Sequence, residues 1–405
     1  MEQRLINLAH SIRLYPTKSQ EIFFKKACGC ARVAYNYGLA EYQKQKEKGL
    51  KPKISEIKKK FNQDKKILYP WMKETNKDAN QQPFANLQVA FSRFFKRQSK
   101  YPIFKKKGRK DSFYISNDKF EVQEKKFWIP KLGWVKGAEK LRFSGKIMSA
   151  VVRRKADYWF VVVSVETDKI FTACKNQAVV GVDLGIKTLA TLSDEKVIKS
   201  INPLRARLQK LKLLQRWASK KVKGSSNQRK ANRKVAKVYY EIACLRKDIL
   251  DKLTTYLCEN YEVICVEDLN VYEMLKNHCL ALSISDLGWG EFRRQLEYKS
   301  VLHGNALIIA DKWFPSSKTC SGCGNVKETL LLSERTYVCE NCGQVIDRDL
   351  NAAINLRNYG LNKIGTVSSK STSTDKEALA YSSSIGVSET ALEEVGILEC
   401  SEMST

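Results

Sequence analysis

Four cysteines constrain this chain more than any other feature. Cys320 and Cys323 form one Cys-x2-Cys pair and Cys339 and Cys342 a second, with 15 residues between the pairs. Each such turn points two thiolates at one place, and two pairs together offer the four soft ligands that tetrahedral Zn2+ takes. Gly324 and Gly343 directly follow the second cysteine of each pair and ease the turn. Four thiolates close the shell, so the ion expected here is one structural Zn2+ with no open position for activating water. Disulfides are the competing use of these thiols. The other cysteines (Cys28, Cys30, Cys174, Cys244, Cys258, Cys265, Cys279 and Cys400) are scattered, mostly in apolar patterns, as reduced core cysteines are. They point to a reducing, cytoplasmic setting.

An acidic run, Asp347-Arg348-Asp349, follows the cysteines and opens a helix-like segment, LNAAINLRN. Two earlier segments make sense as its partners. Residues 178–194 read as a β-hairpin whose first strand, AVVGVDLG, carries Asp183 inside an apolar run. YEVICVEDL at 261–269 reads as a second buried strand, with Glu267 at its end. A charge in such a run is costly unless it binds something. Three carboxylates converging from two strands and a helix repel one another, and a divalent cation relieves that repulsion. Mg2+ prefers oxygen ligands, and two such ions about 4 Å apart can activate a water and stabilise the leaving oxygen of a phosphodiester. Asp347 competes with Asp349 as the third ligand. Asp349 is preferred because it leads into the helix with Asn351, Ala352 and Ala353 behind it.

The rest of the chain bears on partners. Lys and Arg number 72 against 43 Asp and Glu, a net charge of +29. An excess of this size, interleaved with Trp, Tyr and Phe, favours a polyanion, whose phosphates Lys and Arg neutralise with release of counterions. Thr17 after Pro16 caps an expected helix that Gly49 ends. A second helix, PFANLQVAFSRFFKRQSK, puts Leu87, Ala90, Phe91, Phe94 and Phe95 on a core face and leaves Gln81, Arg93, Lys96 and Arg97 to nucleic acid. Residues 101–170 open on a basic run containing Lys105, Lys106, Lys107 and Arg109, then read as short strands of a small barrel or sheet. Lysine-rich loops beside aromatics suit a phosphate backbone with unpaired bases. Residues 201–260 read as two basic antiparallel helices joined near Gly224-Ser225-Ser226. A helix from about Gly290 and a strand in NALIIADKWF follow. From about 360 the composition turns to Ser, Thr, Glu and Gly, and a disordered tail is expected. No apolar run approaches the length of a membrane span and the first residues lack a signal-peptide core, so no membrane partner is expected.

In this order, SIRLYPT, PIFKKKG, IPKLGWVK, GVDLGIKTLA, CVEDL, ALSISDLGWGEFRRQLEYK, the FPSSKTCSGCG…YVCENCG pair and DRDLNAAINL resemble the TnpB family over roughly residues 10–358. These are OrfB-type insertion-sequence proteins related to type V CRISPR effectors. The resemblance implies an α/β multidomain chain: a RuvC-like, RNase H-type nuclease domain (176–315 and 344–359) with an inserted zinc ribbon (316–343). It also implies an N-terminal β-barrel wedge domain (1–17 and 101–175) interrupted by a helical recognition domain (18–100), and leaves 360–405 as the tail. It implies an RNA-guided, Mg2+-dependent DNA endonuclease that binds a guide RNA from the transposon end. Double-stranded target DNA would be cut beside a short transposon-adjacent motif. Asp183, Glu267 and Asp349 would be the catalytic carboxylates and the ligands of two Mg2+ ions. The wedge and recognition segments would hold nucleic acid, through Gln81 and the 105–109 run among others. Two alternatives are a transposase or recombinase acting directly on DNA and an RNA-guided repressor with a dormant site. Family members accompany a separate transposase, which weighs against the first. All three acidic positions are filled, which weighs against the second.

Overall fold

A computed structural model describes residues 6–167, 178–331 and 333–368, and the chain divides into two compact units, residues 1–169 and 170–405. The first unit begins with strand β1 (Ile6–Tyr15), whose Leu8, His10, Ile12 and Leu14 point inward with the period of two that a strand dictates. Three helices follow: α1 (Lys18–Glu47), α2 (Ile54–Leu68) and α3 (Asp78–Phe95). Thr17 caps α1 in a capping box with Gln20, worth about 1 kcal/mol. Gly49, at φ +74°, stands just beyond its end. The buried residues of α1, among them Phe24, Ala27, Cys28, Tyr35, Leu39 and Tyr42, recur at threes and fours. Helix α3 buries Leu87 and Phe91 as expected, together with Phe84, and leaves Ala90 and Phe94 half-buried, but Phe95 is 62% exposed, because the helix ends there and has turned its last residue outward.

The chain then returns as β2 (Ser112–Ser116), β3 (Glu121–Gln123), β4 (Lys126–Ile129), β5 (Gly133–Gly137), β6 (Lys146–Lys155) and β7 (Tyr158–Thr167). With β1 these pair in the order β2-β6-β7-β1-β5-β4-β3, every pairing antiparallel. Of the barrel or sheet expected here, the pairings describe a sheet with β2 and β3 at its edges.

The second unit is built on β8 (Val179–Asp183), β9 (Thr188–Leu192) and β10 (Val197–Lys199), then α4 (Pro203–Ser219) and α5 (Ser226–Asn260). Ser225 caps α5, its Oγ accepting from the Gln228 N–H at 3.0 Å. Next come β11 (Val263–Val266), α6 (Val271–Met274), α7 (Ala281–Leu287), α8 (Trp289–His303) and β12 (Ala306–Ile309). Gly288, at φ +72°, separates α7 from α8; α8 is the helix expected from about Gly290, and α7 is a further short helix before it. Strands β13 (Thr336–Val338) and β14 (Val345–Asp347) form a small antiparallel pair before helix α9 (Arg348–Ser368).

The five main strands pair in the order β10-β9-β8-β11-β12, with β8, β11 and β12 parallel and β9 and β10 antiparallel. One face of the parallel strands, with Val180, Val182, Ile264 and Val266, packs with Leu253 and Leu257 of α5 and Phe292 and Leu296 of α8. The opposite face is covered by α9, whose Leu356 packs with Cys265. Gly181 lies on that face, and a Cβ there would come within 2.0 Å of the Ala353 carbonyl oxygen and 2.4 Å of the Arg357 nitrogen. Backbone lies on backbone, and only glycine leaves the space. Helix α9 runs through Gly360, itself buried against Cys265, to Ser368. Residues 360–368 are therefore helical and not part of a disordered tail: the helix runs on past the point where the composition shifts. The rest of the expected tail, with Cys400, lies outside the described residues, as does Cys174.

Gly181→Ala forces α9 off β8. Overpacking of this kind costs about 1–3 kcal/mol, so a lower midpoint in denaturant unfolding is expected, and an unchanged midpoint would contradict the close contact.

Candidate active site and metal centre

The two cysteine turns fold alike. In each, the first cysteine's carbonyl accepts from the N–H four residues on, Gly324 at 2.9 Å and Gly343 at 3.0 Å. Both glycines take the left-handed φ, +77° and +73°, that this turn requires. The Cys320 and Cys339 N–H groups donate to Asn325 and Gln344, each at 2.8 Å. The four sulfurs meet within 4.8 Å of one another, with Cys320 to Cys342 and Cys323 to Cys339 both at 3.6 Å. A disulfide needs about 2.05 Å. Four sulfurs at about 2.3 Å from a tetrahedral Zn2+ would stand about 3.8 Å apart, which this four-cysteine cluster matches. Hydrogen bonds from the Asn325 N–H and the Asn341 side chain lower the Cys323 thiol and backbone N–H groups lower Cys339, toward the thiolates a metal needs, while contact with its fellow thiols raises Cys342.

This knuckle is fastened to α9 by two asparagines that the sequence reading missed as such. Asn351 Oδ1 accepts from the Ser321 N–H at 3.0 Å, and its Nδ2 donates to Thr319 O at 2.7 Å. One turn on, Asn355 Nδ2 donates to Ser316 O and Thr319 O, both at 2.7 Å. Both side chains are buried, so these bonds are expensive to leave unmade. The available signal was a pair of amides at i and i+4 inside the apolar stripe of LNAAINL.

The carboxylates come from the same frame. Strands β8 and β11 are parallel with Val182 level with Val266, so the next residues, Asp183 and Glu267, end neighbouring strands side by side. Asp183 shares with Gly181 the face that α9 covers, and Asp349 is in the first turn of α9. The Asp183 carboxyl is pushed well above the usual carboxylate range. Burial is the largest cause, and the charges of Glu267, Asp349 and Asp347 add to it, while Arg348 opposes them. Glu267 Oε1 accepts from Ser316 Oγ, on the segment leading to the first knuckle. Asp349 Oδ1 faces Arg335 at 4.0 Å. Asp347 is occupied otherwise. Its Oδ1 accepts from the Asp349 and Leu350 N–H groups at 2.9 and 3.0 Å, capping the positive end of α9. Among the described residues, only the four cysteines form a metal-ready cluster of the tightness given above. The three like-charged carboxylates stand looser, coupled by their fields.

In the first unit, the 105–110 loop is held to its surroundings. The Lys105 N–H donates to Asn36 Oδ1 at 2.8 Å, and Asn36 Nδ2 returns to Lys105 O at 3.0 Å. Asp111 Oδ1 accepts from Gly108 and from Arg32, each at 3.2 Å. Lys105, Lys106, Lys107 and Arg109 are all exposed on this anchored loop, and the Lys105 ammonium lies over the Tyr35 ring. Gln81 is less open than expected. Its amide donates to Asn62 and Asn80, both at 2.8 Å, and any nucleic-acid contact competes with those bonds.

Three family profiles match the chain. One described as "Probable transposase" covers residues 161–278, one described as "Cas12f1-like, TNB domain" covers 289–356, and one described as "Helix-turn-helix domain" covers 1–51. The described part of that last span is a strand and a single long helix. A protein of Streptomyces pristinaespiralis named "Putative RNA-guided DNA endonuclease" is 37% identical over 378 residues, covering 88% of this chain and 90% of its own. InsQ of Escherichia coli (strain K12), of the same description, is 30% identical over 366 residues, covering 86% and 91%. Among solved structures, the fold is similar to a chain in a cryo-EM structure of a Cas12f1–sgRNA–target DNA complex. Its TM-score is 0.53 at 15% identity, over 87% of this chain and 99% of that one.

Purified protein is expected to carry one zinc per chain by elemental analysis. Cys339→Ser should release it and open residues 316–343 to protease. Stoichiometric zinc retained in that variant would count against the four-thiolate site.

Proposed function

The chain belongs to the TnpB family of OrfB-type insertion-sequence proteins, and we propose on that footing that it is an RNA-guided DNA endonuclease. What supports the reading is the placing of Asp183, half-buried, and Glu267 at the ends of neighbouring parallel strands, with the charges of Glu267 and Asp349 both felt at Asp183. Perturbed carboxylates gathered at strand ends are what a metal-assisted hydrolase needs. The guide is an RNA from the transposon end, and the target is double-stranded DNA beside a short transposon-adjacent motif. Base pairing reads the sequence, and the protein reads shape and the motif.

Asp183, Glu267 and Asp349 are the residues that would hold two Mg2+ ions, their oxygens suiting that hard cation and their mutual repulsion favouring its entry. Bound there, Mg2+ supplies Lewis-acid activation of a water and stabilises the leaving oxygen. The chain's own residues do the positioning. Ser316 orients Glu267, Asp347 fixes the first turn of α9, and Asn351 and Asn355 tie that helix to the cysteine knuckle. The four-cysteine cluster is read as a structural zinc ribbon within a RuvC-like, RNase H-type nuclease domain. The antiparallel sheet of the first unit is read as the wedge domain and its helices α1–α3 as the recognition domain, with the Lys105–Arg109 loop against phosphate.

Asp183→Asn is expected to abolish Mg2+-dependent cutting of guide-matched duplex while RNA and DNA binding persist. Full cutting by that variant would remove Asp183 from the mechanism. The substitution should also raise the unfolding midpoint of the metal-free protein. A carboxyl whose folded value is raised holds a proton that the unfolded chain has released, so stability rises as pH falls through that window and is penalised above it. Asparagine, neutral throughout, removes the penalty. A gain at pH 7 that fades as pH approaches the ordinary carboxylate range is the expected pattern in calorimetry.

A further inference from the structure

The loop after β12, which leaves the sheet beside Val266 and ends on Ser316 at Glu267, displays an indole to solvent. Trp313 is 81% exposed. Its neighbours are not free to move it away. The Trp313 N–H donates to Asp311 Oδ1 at 2.9 Å, closing a tight turn, and the Phe314 N–H donates to Asp311 O at 2.9 Å. Phe314 points inward and packs on Tyr359 of α9, ring centroids 4.8 Å apart. Two residues further, Ser316 donates to Glu267. At the loop's start, the Ala310 N–H donates to Val266 O at 2.8 Å, so the loop leaves the sheet beside the end of β11 that carries Glu267. The Lys312 ammonium lies 4.9 Å from the centre of the indole.

A large apolar ring held out in water on a loop pinned at both ends has a cost in hydration that a partner removes. Because the loop is already ordered, a partner stacking on the ring would pay little further entropy. A flat π-face with an adjacent ammonium fits one chemistry well: an unpaired nucleobase and the phosphate next to it. We propose that Trp313 is the stacking platform for an unpaired base of the DNA strand led to the Asp183–Glu267–Asp349 site, with Lys312 on its phosphate. This rests on the endonuclease reading. It adds that the strand is held single-stranded at the site and that the stack sets which phosphodiester lies against the carboxylates.

The test uses the guide-loaded protein and a guide-matched duplex labelled on each strand in turn, with wild type, Trp313→Ala, Trp313→Leu and Trp313→Phe. Duplex binding in EDTA and zinc content are expected to be unchanged in all four. Cutting by Trp313→Ala is expected to be about tenfold slower, within the range for one base–aromatic stack, and its cut positions should spread. Phe restores rate and position; Leu does not. Removing the base from the stacked position of the substrate should slow wild type and leave Trp313→Ala unaffected. Wild-type rate and cut positions in Trp313→Ala, or equal rescue by Leu and Phe, would overturn the platform. Should wild type itself leave the guide-matched duplex intact, the endonuclease reading fails instead.

Discussion

Helix α9 lies directly on β8 because position 181 has no side chain, and much of the second unit follows from that contact. The helix covers the sheet face bearing Asp183, brings its own first turn to the ends of β8 and β11, and offers Asn351 and Asn355 to the cysteine knuckle. The opposite face of the same strands is a continuous aliphatic core against α5 and α8. Asp183 therefore sits where apolar packing and a close backbone contact meet, and this is why burial is the largest cause of its raised pKa.

The zinc-type cluster and the carboxylates are usually thought of as separate parts, one for stability and one for chemistry. Here they share a segment. The segment from Ser316 to Ser321 touches Glu267 at one end, Asn351 and Asn355 in its middle, and supplies Cys320 within its length. Loosening the knuckle reaches Glu267 through the Ser316 bond and the helix that carries Asp349 through Asn351 and Asn355. The network is small and buried, so its members act together and partial loss is costly.

How much of this was legible in the sequence depended on whether the signal was local. The cysteine pairs, the Thr17 cap and the strands around Asp183 and Glu267 announce themselves by spacing and period, and each is found where expected. Asp347 and Asp349 are two residues apart and equivalent by composition; only the hydrogen bonds show Asp347 capping the helix. Gly181 reads as an ordinary strand residue until the helix that crosses it is known. Asn351 and Asn355 stand out only as two amides within an apolar stripe, and their partners lie thirty or more residues away. The helix end at Ser368 was hidden because the composition changes before the helix ends. Phe95 was misjudged for the opposite reason, its period continuing past the end of the surface it packs on.

Chain order adds one consequence. Asp183 and Glu267 belong to strands made early in the second unit, while Asp349 follows the cysteine knuckles and begins the last described helix. During synthesis, two carboxylates therefore emerge and fold long before the third. The third can dock only after the knuckles that receive Asn351 have left the ribosome. On the proposed reading, the full set of three carboxylates therefore comes together only after the cysteine knuckles have been made.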